Sequence, residues 1–469
     1  MSADLLVTEV DFAVIGSGPG GQKAAICAAK AGKKVVLVER EHHSGGACVH
    51  HGTIPSKTLR ETALALRSLE RRTGGVLKAS LGEGLEVSSL MTRLNDVVGA
   101  HQTYIEGQLR RNEIAVWHGH ARFLTEHELE VSAPNGVRRI LRAQHVVLAS
   151  GSRPRTPSGV EIDHEHVLDS DSILSMTYLP RTLIILGAGV IASEYASIFA
   201  SLGVEVRMVD PGARPMAFLD TELTDAFLAS FVAAGSRFTP KRKVVSAKYD
   251  GVERCVVQLD DGETLFADKV LCALGRIANV DRLGLEAIGV RTSARGFVEA
   301  DADLRTSVRS IYAVGDVIGP PSLASSAMEQ GRRAARHALG LPNDKAVVAM
   351  IPFCAYTIPE IASVGLSCAE AIEKHGGAIV GRAPYSEIAR AHVSASGDGL
   401  IKLVATPDGR RLVGVQVVGE GASELVHIGQ MAMIGGCDVD VLIEATFNFP
   451  TLAEGYRIAA LDVIRQRPT

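Results

Sequence analysis

The sequence predicts an α/β protein with two similar parallel-sheet domains and a separate C-terminal α+β domain. Three observations support this prediction. The chain has 469 residues, which is enough for about three domains of roughly 150 residues each. A strand, a glycine-rich turn, a helix and a second strand follow one another twice. No further copy of this pattern occurs after about residue 346.

The first copy lies near the amino terminus. An apolar run at 11–15 leads into the turn Gly16-Ser17-Gly18-Pro19-Gly20-Gly21, an alanine-rich helix at 22–30 and a strand at 34–38 that is followed by Glu39. Glycines in such a turn let a pyrophosphate approach the backbone at the positive end of the helix, and the terminal acid binds a ribose hydroxyl. The pattern predicts a Rossmann-like dinucleotide site whose candidate residues are Gly16, Gly18, Gly21 and Glu39.

The second copy has a strand at 183–186, the turn Gly187-Ala188-Gly189-Val190-Ile191-Ala192, a helix through Ala200 and a strand that ends at Asp210. From the first glycine to the terminal acid, both copies span 23 positions (39 − 16 = 23 and 210 − 187 = 23). Equal spacing between the same flanking elements predicts a second dinucleotide site. Its candidate residues are Gly187, Gly189, Ala192 and Asp210.

The remaining elements complete these units. Strand-like runs at 146–149 and 270–274 come shortly before Gly151 and Gly275 and are expected to close the two sheets, and the run at 311–314 leads into Gly315-Asp316. The C-terminal part has strand-like runs at 400–404 and 412–418 and helical segments at 423–435 and 454–465. This mixture predicts the α+β domain.

Composition excludes several classes of protein. The charge balance, 49 − 53 = −4, and an aromatic content of 4% with one tryptophan lack the basic, stacking surface that nucleic-acid binders use. The absence of a basic leader or a bilayer-length apolar run predicts a cytoplasmic protein that does not associate with membranes. Seven scattered cysteines argue against a secreted disulfide framework and leave open a redox role for single thiols.

Further motifs carry a family resemblance. The stretch at 45–57, GGACVHHGTIPSK, and the segment at 312–316, YAVGD, together with the two glycine turns, resemble the pyridine nucleotide-disulfide oxidoreductases along nearly the whole chain. The resemblance implies FAD on the first turn, NAD or NADP as substrate on the second, and assembly as a homodimer or higher homo-oligomer. It implies an FAD domain at 1–151 and 276–346, a nicotinamide nucleotide domain at 152–275 and a dimerisation domain at 347–469.

The same resemblance assigns roles to single residues. Glu39 would hold the adenosine ribose of FAD, the backbone of Ala121 the adenine, and Asp316 the ribityl chain. Lys57 would lie beside the flavin N5 and pair with Glu194, because a cation there stabilises the negative charge that a hydride brings. The cofactor contacts that the resemblance further implies are Cys48, Gly151, Gly275 and Ala324.

Two positions depart from the disulfide reductases of this family. Those enzymes have a second cysteine five positions after the first, and here Thr53 follows Cys48. They also have His-Pro-Thr near the carboxy terminus, where this chain has Phe449-Pro450-Thr451. Threonine forms no disulfide and phenylalanine transfers no proton. These departures remove the thiol half-reaction and keep hydride exchange between nicotinamide and flavin. Within the family, this pattern resembles a transhydrogenase, which implies transfer of hydride from NADPH to NAD⁺ through FAD with Lys57, Glu194 and Thr53 as catalytic residues.

Alternatives to this prediction stay open at this point. An NAD(P)H dehydrogenase that reduces a quinone or a dye would use the same nucleotide sites. A dihydrolipoamide dehydrogenase is disfavoured by Thr53 and Phe449, and a flavin-binding redox sensor would show no turnover. Coenzyme preference is also open, since Asp210 favours NAD and repels the 2′-phosphate of NADP, whereas Arg207 and Arg214 could offset that repulsion.

One cluster suggests a metal, and two residues suggest an acid-base pair. Histidine and thiolate ligate zinc, but the spacing of this cluster matches no common zinc module, so no metal is expected. The cluster comprises His42, His43, Cys48, His50 and His51. Neither His427 nor Glu454 is assigned a catalytic role, because the sequence does not bring them together.

Overall fold

A computed structural model of the chain describes residues 6–72, 87–343 and 350–468. The helices of its first part are α1 (Pro19–Lys30), α2 (Gly46–His50), α3 (Thr53–Arg72) and α4 (Val87–Arg111). The strands of that part are β1 (Val7–Ile15), β2 (Val35–Glu39), β3 (Ala115–His118), β4 (His120–Phe123), β5 (Glu128–Ser132), β6 (Arg138–Leu148) and β7 (Ser152–Pro154).

The middle of the chain contains helices α5 (Val190–Ser201), α6 (Thr221–Ala233) and α7 (Ala324–Ala338). Its strands are β8 (Val167–Asp169), β9 (Thr182–Leu186), β10 (Glu205–Asp210), β11 (Arg237–Pro240), β12 (Val244–Tyr249), β13 (Cys255–Leu259), β14 (Thr264–Ala267), β15 (Lys269–Cys272), β16 (Arg276–Ala278) and β17 (Ile311–Ala313).

The C-terminal part contains strands β18 (Phe353–Ala355), β19 (Ile361–Gly365), β20 (Ile379–Pro384), β21 (Leu400–Ala405) and β22 (Leu412–Val418). Its helices are α8 (Cys368–His375), α9 (Ala389–Val393), α10 (Ala422–Ile434), α11 (Val441–Glu444) and α12 (Glu454–Arg465). Short 3-10 helices lie at Ile173–Ser175, Glu286–Ile288, Gly315–Ile318 and Tyr385–Glu387.

The chain forms two compact units. The first comprises Met1–Thr58, Leu90–Arg155 and Gly275–Asp344, and the second comprises Leu59–Ser89, Thr156–Leu274 and Lys345–Thr469. The first glycine turn thus belongs to one unit, while the second turn and the C-terminal sheet belong to the other. The domain limits drawn from the sequence stay predictions, and the one between residues 346 and 347 lies outside the described residues.

The first unit is built on a sheet of order β3-β2-β1-β6-β5-β4, with β17 also pairing with β6. Strands β3, β2, β1, β6 and β17 run parallel. Side chains of β1 alternate between two buried cores: Ala13 and Ile15 pack on one face, and Phe12 and Val14 on the other. Because parallel strands end at one edge of a sheet, the turns that follow β1, β2 and β17 meet at that edge.

The second unit contains a parallel sheet of order β11-β10-β9-β15-β8 and an antiparallel sheet of order β12-β13-β14. It also contains the antiparallel C-terminal sheet β18-β19-β22-β21-β20, whose core includes buried residues of α10 and α12. The predicted α/β class with a C-terminal α+β domain is confirmed, and the strand at 412–418 and the helix at 454–465 have the expected bounds.

Candidate active site

The first glycine turn has the backbone that its sequence predicts. Gly16 has a φ of +101°, and a Cβ there would lie 2.3 Å from the Ala149 carbonyl oxygen. A Cβ on Gly21 would lie 1.9 Å from the Gly16 carbonyl oxygen. Gly18 is the N-cap of α1, where no side chain caps the helix, and a Cβ there would meet no atom within 4 Å. The free N–H groups and open space beside Gly18 fit a pyrophosphate.

Glu39 lies at the end of β2 with its carboxylate directed at this turn. Its Oε2 accepts hydrogen bonds from the Ser17 backbone N–H (2.8 Å) and the Ser17 hydroxyl (2.5 Å), and the side chain is buried. The Ser17 Oγ in turn accepts a hydrogen bond from the Gly45 N–H (2.9 Å). Glu39, the residue predicted to bind the ribose, is thus held against the glycine turn. Through Ser17 it is also linked to the loop that precedes α2.

Ala121 presents its backbone at the outer edge of β4. Phe123, two residues later, donates its N–H to the Leu283 carbonyl oxygen (2.8 Å) rather than to its partner Leu129 in β5. Because alternate residues of a strand direct their amides to the same side, the N–H and C=O of Ala121 face away from β5. That orientation suits the adenine contact predicted for this backbone.

Asp316 lies in the 3-10 turn after β17 and is joined to the strand-end motifs. Its Oδ2 accepts a hydrogen bond from the Ser152 hydroxyl (2.7 Å), and Ser152 Oγ also accepts one from Arg276 Nε (2.8 Å). The neighbouring glycines, Gly151 and Gly275, have φ angles of +69° and +104° with no atom within 4 Å of an added Cβ. Sequence reasoning found the glycines and Asp316 but missed Ser152 and Arg276, although each directly follows one of those glycines.

Helix α7 begins at Ala324 and packs closely on α1. A Cβ on Gly331 would lie 2.0 Å from the Gly20 carbonyl oxygen, so the two helices approach through their glycines. The hydroxyl of Ser326, in the first turn of α7, is buried and has no hydrogen-bond partner within the described part of the chain. A buried hydroxyl of this kind, beside a helix N-terminus that has no side-chain cap, is suited to form a hydrogen bond with a polar group of a bound cofactor.

Cys48 and Thr53 form the contact that distinguishes this site. Thr53 is the first residue of α3, and its side chain is close enough to the Cys48 thiol to lower the pKa of that thiol. Burial raises the pKa of the Cys48 thiol, while the Thr53 side chain and the charge of Lys57 act in the opposite direction. Lys57 lies near the start of α3, with its Nζ 3.3 Å from Ser56 Oγ.

The second glycine turn repeats the first in detail. Gly187 has a φ of +108°, Gly189 is the N-cap of α5 with open space at its Cβ position, and Ala192 is fully buried. Asp210 Oδ2 accepts a hydrogen bond from the Ala188 N–H (2.9 Å). The sequence separation of this pair, 22 residues, equals that of Glu39 and Ser17. The spacing seen in the sequence therefore corresponds to the same hydrogen bond in both turns.

Glu194 lies on α5, facing a segment of the C-terminal domain. Its buried carboxylate accepts a hydrogen bond from the Tyr356 backbone N–H (2.8 Å), and one turn later Ser197 Oγ accepts one from the Ile358 N–H (3.0 Å). Sequence reasoning missed Tyr356, which is 162 residues from Glu194 and carries no motif. The Lys57–Glu194 ion pair stays a prediction.

Comparison with known proteins decides the family. The family model for pyridine nucleotide-disulphide oxidoreductases matches residues 10–331, and the model for the dimerisation domain of that family matches residues 351–460. The chain belongs to the pyridine nucleotide-disulphide oxidoreductases. It is therefore an oxidoreductase that uses FAD, with nicotinamide nucleotides as substrates.

Curated relatives match over the full length. A soluble pyridine nucleotide transhydrogenase from Mycobacterium bovis (strain BCG / Pasteur 1173P2) is 40% identical over 461 residues, which cover 98% of each chain. A protein of the same name from Pseudomonas entomophila (strain L48) is 39% identical over 464 residues, which cover 98% of this chain and 99% of the relative.

Solved structures of other proteins have a similar fold. LpdA from Mycobacterium tuberculosis superimposes with a TM-score of 0.89 at 27% identity, covering 96% of this chain and 99% of that one. The HOCl-induced flavoprotein disulfide reductase RclA from Escherichia coli, in a Cu(II) complex, has a TM-score of 0.88 at 24% identity, covering 97% and 99% of the two chains. The latter likeness concerns the fold alone.

The residues considered for acid-base chemistry or metal binding have ordinary contacts. Phe449 is 69% exposed, and His427 Nδ1 lies 2.8 Å from Gln430 Oε1. In the histidine-rich loop, His43 is bonded to Gln102 (2.9 Å) and His50 to the Ser44 carbonyl oxygen (3.1 Å). Across residues 6–72, 87–343 and 350–468, no three histidine, cysteine or acidic side chains converge as a metal site. Nor does any helix in those ranges have the length and apolar character needed to cross a membrane.

The two arginines proposed to favour NADP have carboxylate partners. Arg207 donates to Thr239 Oγ1 (2.9 Å) and pairs with Glu263 (3.0 Å). Arg214 pairs with Asp225 Oδ1 (3.1 Å) beside the start of α6. Neither guanidinium is bonded to Asp210 in the described contacts, and the role of Arg214 in binding the coenzyme stays a prediction.

Proposed function

We propose that this protein is a pyridine nucleotide transhydrogenase that moves hydride from NADPH to NAD⁺ without a redox disulfide. The observation that carries the proposal is the position of the Thr53 side chain beside the Cys48 thiol. A hydroxyl lies where the disulfide reductases of the family have their second thiol. The seven cysteines all lie in the described ranges, and no two of them are joined in a disulfide. The names of the full-length relatives support the same activity.

The first unit supplies the FAD site. The N-terminus of α1 would receive the pyrophosphate through its free N–H groups, Glu39 would orient the adenosine ribose, and Asp316 would hold the ribityl chain, with Ser152 fixing its carboxylate. When bound, FAD supplies a carrier that accepts hydride from one nicotinamide and gives it to another. The protein then has to position the groups and to keep water out of the site.

Lys57 and Glu194 form the electrostatic part of the proposal. Lys57 would stabilise negative charge on a bound flavin. Glu194 is predicted to pair with this lysine, and its own carboxylate accepts a hydrogen bond from the Tyr356 N–H. Neither residue has to exchange a proton, because hydride transfer between two nicotinamides needs no general acid. This account agrees with the phenylalanine at position 449, where the disulfide reductases have a histidine.

An anaerobic rapid-mixing experiment tests the proposal. The holoenzyme is mixed with a stoichiometric amount of NADPH, which should bleach the flavin absorbance, and then with NAD⁺, a quinone or oxidised lipoamide in separate runs. We expect NAD⁺ to restore the absorbance and to yield NADH. Recovery with the quinone alone would identify an NAD(P)H dehydrogenase. Recovery with lipoamide would contradict the disulfide-free route, and no bleaching at all would indicate a sensor without turnover.

We further propose that the protein acts in the cytoplasm and self-associates. Seven cysteines without a disulfide among them suit a reducing compartment. The match of residues 351–460 to a dimerisation domain supports assembly of identical chains. Sedimentation of the holoenzyme tests the assembly, and a sedimentation coefficient typical of a monomer would contradict it.

A further inference from the structure

The loop after β10 is bordered by the end of the neighbouring strand. Asp210, the last residue of β10, is paired with Pro240, the last residue of β11, in a parallel register. The residues that follow Pro240 therefore lie at the same sheet edge as the acid expected to bind the adenosine ribose of the nicotinamide nucleotide. These residues are Lys241 and Arg242.

Two backbone hydrogen bonds fix this arrangement. The Lys241 N–H donates to the Gly212 carbonyl oxygen (3.1 Å), and the Arg242 N–H donates to the Asp210 carbonyl oxygen (3.1 Å). Lys241 has a φ of +57°, in the left-handed region that costs a residue with a side chain about 1 kcal/mol. The turn is held in this conformation because both of its amides bind the loop that carries Asp210.

The cations around this loop differ in whether they pair with a carboxylate. Arg207 pairs with Glu263 (3.0 Å), Arg214 with Asp225 (3.1 Å) and Arg242 with Asp261 (2.6 Å). Lys241 is exposed, and no carboxylate of the described residues lies within ion-pair distance of its Nζ. Its ammonium group therefore has no resident counter-ion to displace.

Asp210 cannot favour a phosphate by itself. Its Oδ2 binds the Ala188 N–H, and its Oδ1 binds the Gly212 N–H (2.6 Å). The carboxylate is thus held in place and would repel the 2′-phosphate of NADPH. Such a phosphate carries a charge of about −1.5 to −2 at neutral pH. A coenzyme with this group needs a nearby cation that can approach it.

We propose that Lys241 binds the 2′-phosphate of NADPH and so lets one site accept both coenzymes. This inference rests on the proposed function in that nicotinamide nucleotides bind at the second glycine turn. The flexible stem of a lysine brings the ammonium to the phosphate when NADPH is bound and leaves it in solvent when NADH is bound. Asp210 then serves the ribose of NADH, and Lys241 offsets its charge for NADPH.

Binding of coenzyme fragments tests this proposal. Calorimetric titration of the holoenzyme with 2′,5′-ADP and with 5′-AMP measures the phosphate contribution without hydride transfer. Lys241→Ala should weaken 2′,5′-ADP binding by about tenfold and leave 5′-AMP binding unchanged, and Lys241→Arg should restore most of the affinity. Lys243→Ala is the matched control, because Lys243 is an exposed lysine of the same segment, and it should change neither affinity.

Several results would overturn the assignment. These are an unchanged 2′,5′-ADP affinity in Lys241→Ala, an equal loss for both fragments, or a wild-type protein that does not distinguish the two. A loss in Arg214→Ala with none in Lys241→Ala would assign the phosphate to the arginine. Because the fragments carry no nicotinamide, a selective loss in Lys241→Ala would stand even if the rapid-mixing experiment disproved hydride transfer to NAD⁺.

Discussion

The Thr53 side chain lies beside the Cys48 thiol and lowers its pKa. This contact joins the first turn of α3, which precedes Lys57, to α2, and the loop before α2 is held against the first glycine turn by the Gly45–Ser17 hydrogen bond. It places a group without redox chemistry next to the one cysteine that the family resemblance puts at the flavin. A thiol that cannot find a second thiol in its surroundings has no disulfide to form.

The reactivity of Cys48 should depend on Thr53. Burial raises the pKa of the Cys48 thiol and the Thr53 side chain lowers it, so Thr53→Val should raise this pKa further and shift alkylation of Cys48 to higher pH. Thr53→Ser keeps the hydroxyl and should retain the wild-type profile. Iodoacetamide labelling across a pH series, with peptide mass mapping to separate Cys48 from the other cysteines, measures this shift. Identical profiles for the valine and serine variants would contradict the assigned contact.

Gly18 and Gly189 allow the two nucleotide sites to be tested separately. Both are helix N-caps with negative φ, and a Cβ at either position meets no protein atom within 4 Å. Alanine there should leave the fold intact but enter the space expected for a pyrophosphate. We expect Gly18→Ala to lower FAD affinity by about tenfold or more, and Gly189→Ala to weaken NADH and NADPH to a similar extent while FAD stays bound.

The control for these variants is Gly99→Ala. Gly99 lies within α4, and a Cβ there also meets no atom within 4 Å, so alanine should leave FAD content and coenzyme affinity unchanged and favour the helix. Flavin absorbance per chain and fluorescence titration with NADH measure the three variants. Loss of FAD in Gly189→Ala, or retention of FAD in Gly18→Ala, would show that the two turns do not serve separate ligands.

The charge of Glu194 should matter more than its shape. Glu194→Gln keeps an oxygen for the Tyr356 N–H but removes the charge that is predicted to fix Lys57. We expect the rate constant for flavin bleaching by NADPH to fall by about tenfold, which corresponds to about 1.4 kcal/mol, with little change in NADPH affinity. Single-turnover rapid mixing separates the two quantities. An unchanged Tm serves as the control for folding, and an unchanged rate constant would refute the catalytic role of Glu194.

Local sequence rules predicted the glycine turns well, because their chemistry is contained in about two dozen consecutive residues. The spacing of Gly16 and Glu39 and that of Gly187 and Asp210 correspond to equal hydrogen bonds in the structure. The C-terminal strands and helices were also predictable, since alternation and helical periodicity are local signals. The predicted helix at 22–30 starts earlier, at Pro19, because proline is favoured in the first turn.

Long-range partners were not predictable in the same way. Tyr356 acts through its backbone N–H, which every residue except proline possesses, so no residue type marks the contact with Glu194. Ser152 and Arg276 are joined by the antiparallel pairing of β7 with β16, 124 residues apart in the chain. The partners of Arg207 and Arg214 likewise depend on which carboxylates the fold brings close, and proximity in sequence to Asp210 did not reveal them.

A partly buried ion cluster in the second unit should make stability depend on pH. Glu222 accepts hydrogen bonds from Arg382 (2.8 Å) and Lys402 (2.6 Å), and these partners lower its pKa from 4.5 to about 2. A carboxyl whose pKa is lower in the folded chain stabilises it fully above the unfolded value of about 4.5, and this contribution is lost as the pH falls toward 2.

Glu222→Gln should therefore lower the urea midpoint most at neutral pH, and the difference from wild type should shrink below pH 4.5. Lys402 keeps Asp220 as a partner (2.8 Å), so the variant leaves no buried ammonium unpaired. Glu299→Gln is the control, because its pair with Arg291 is exposed and such pairs contribute little. If wild type and Glu222→Gln kept a constant difference from neutral pH down to about pH 3, the cluster would not be the source of the pH dependence.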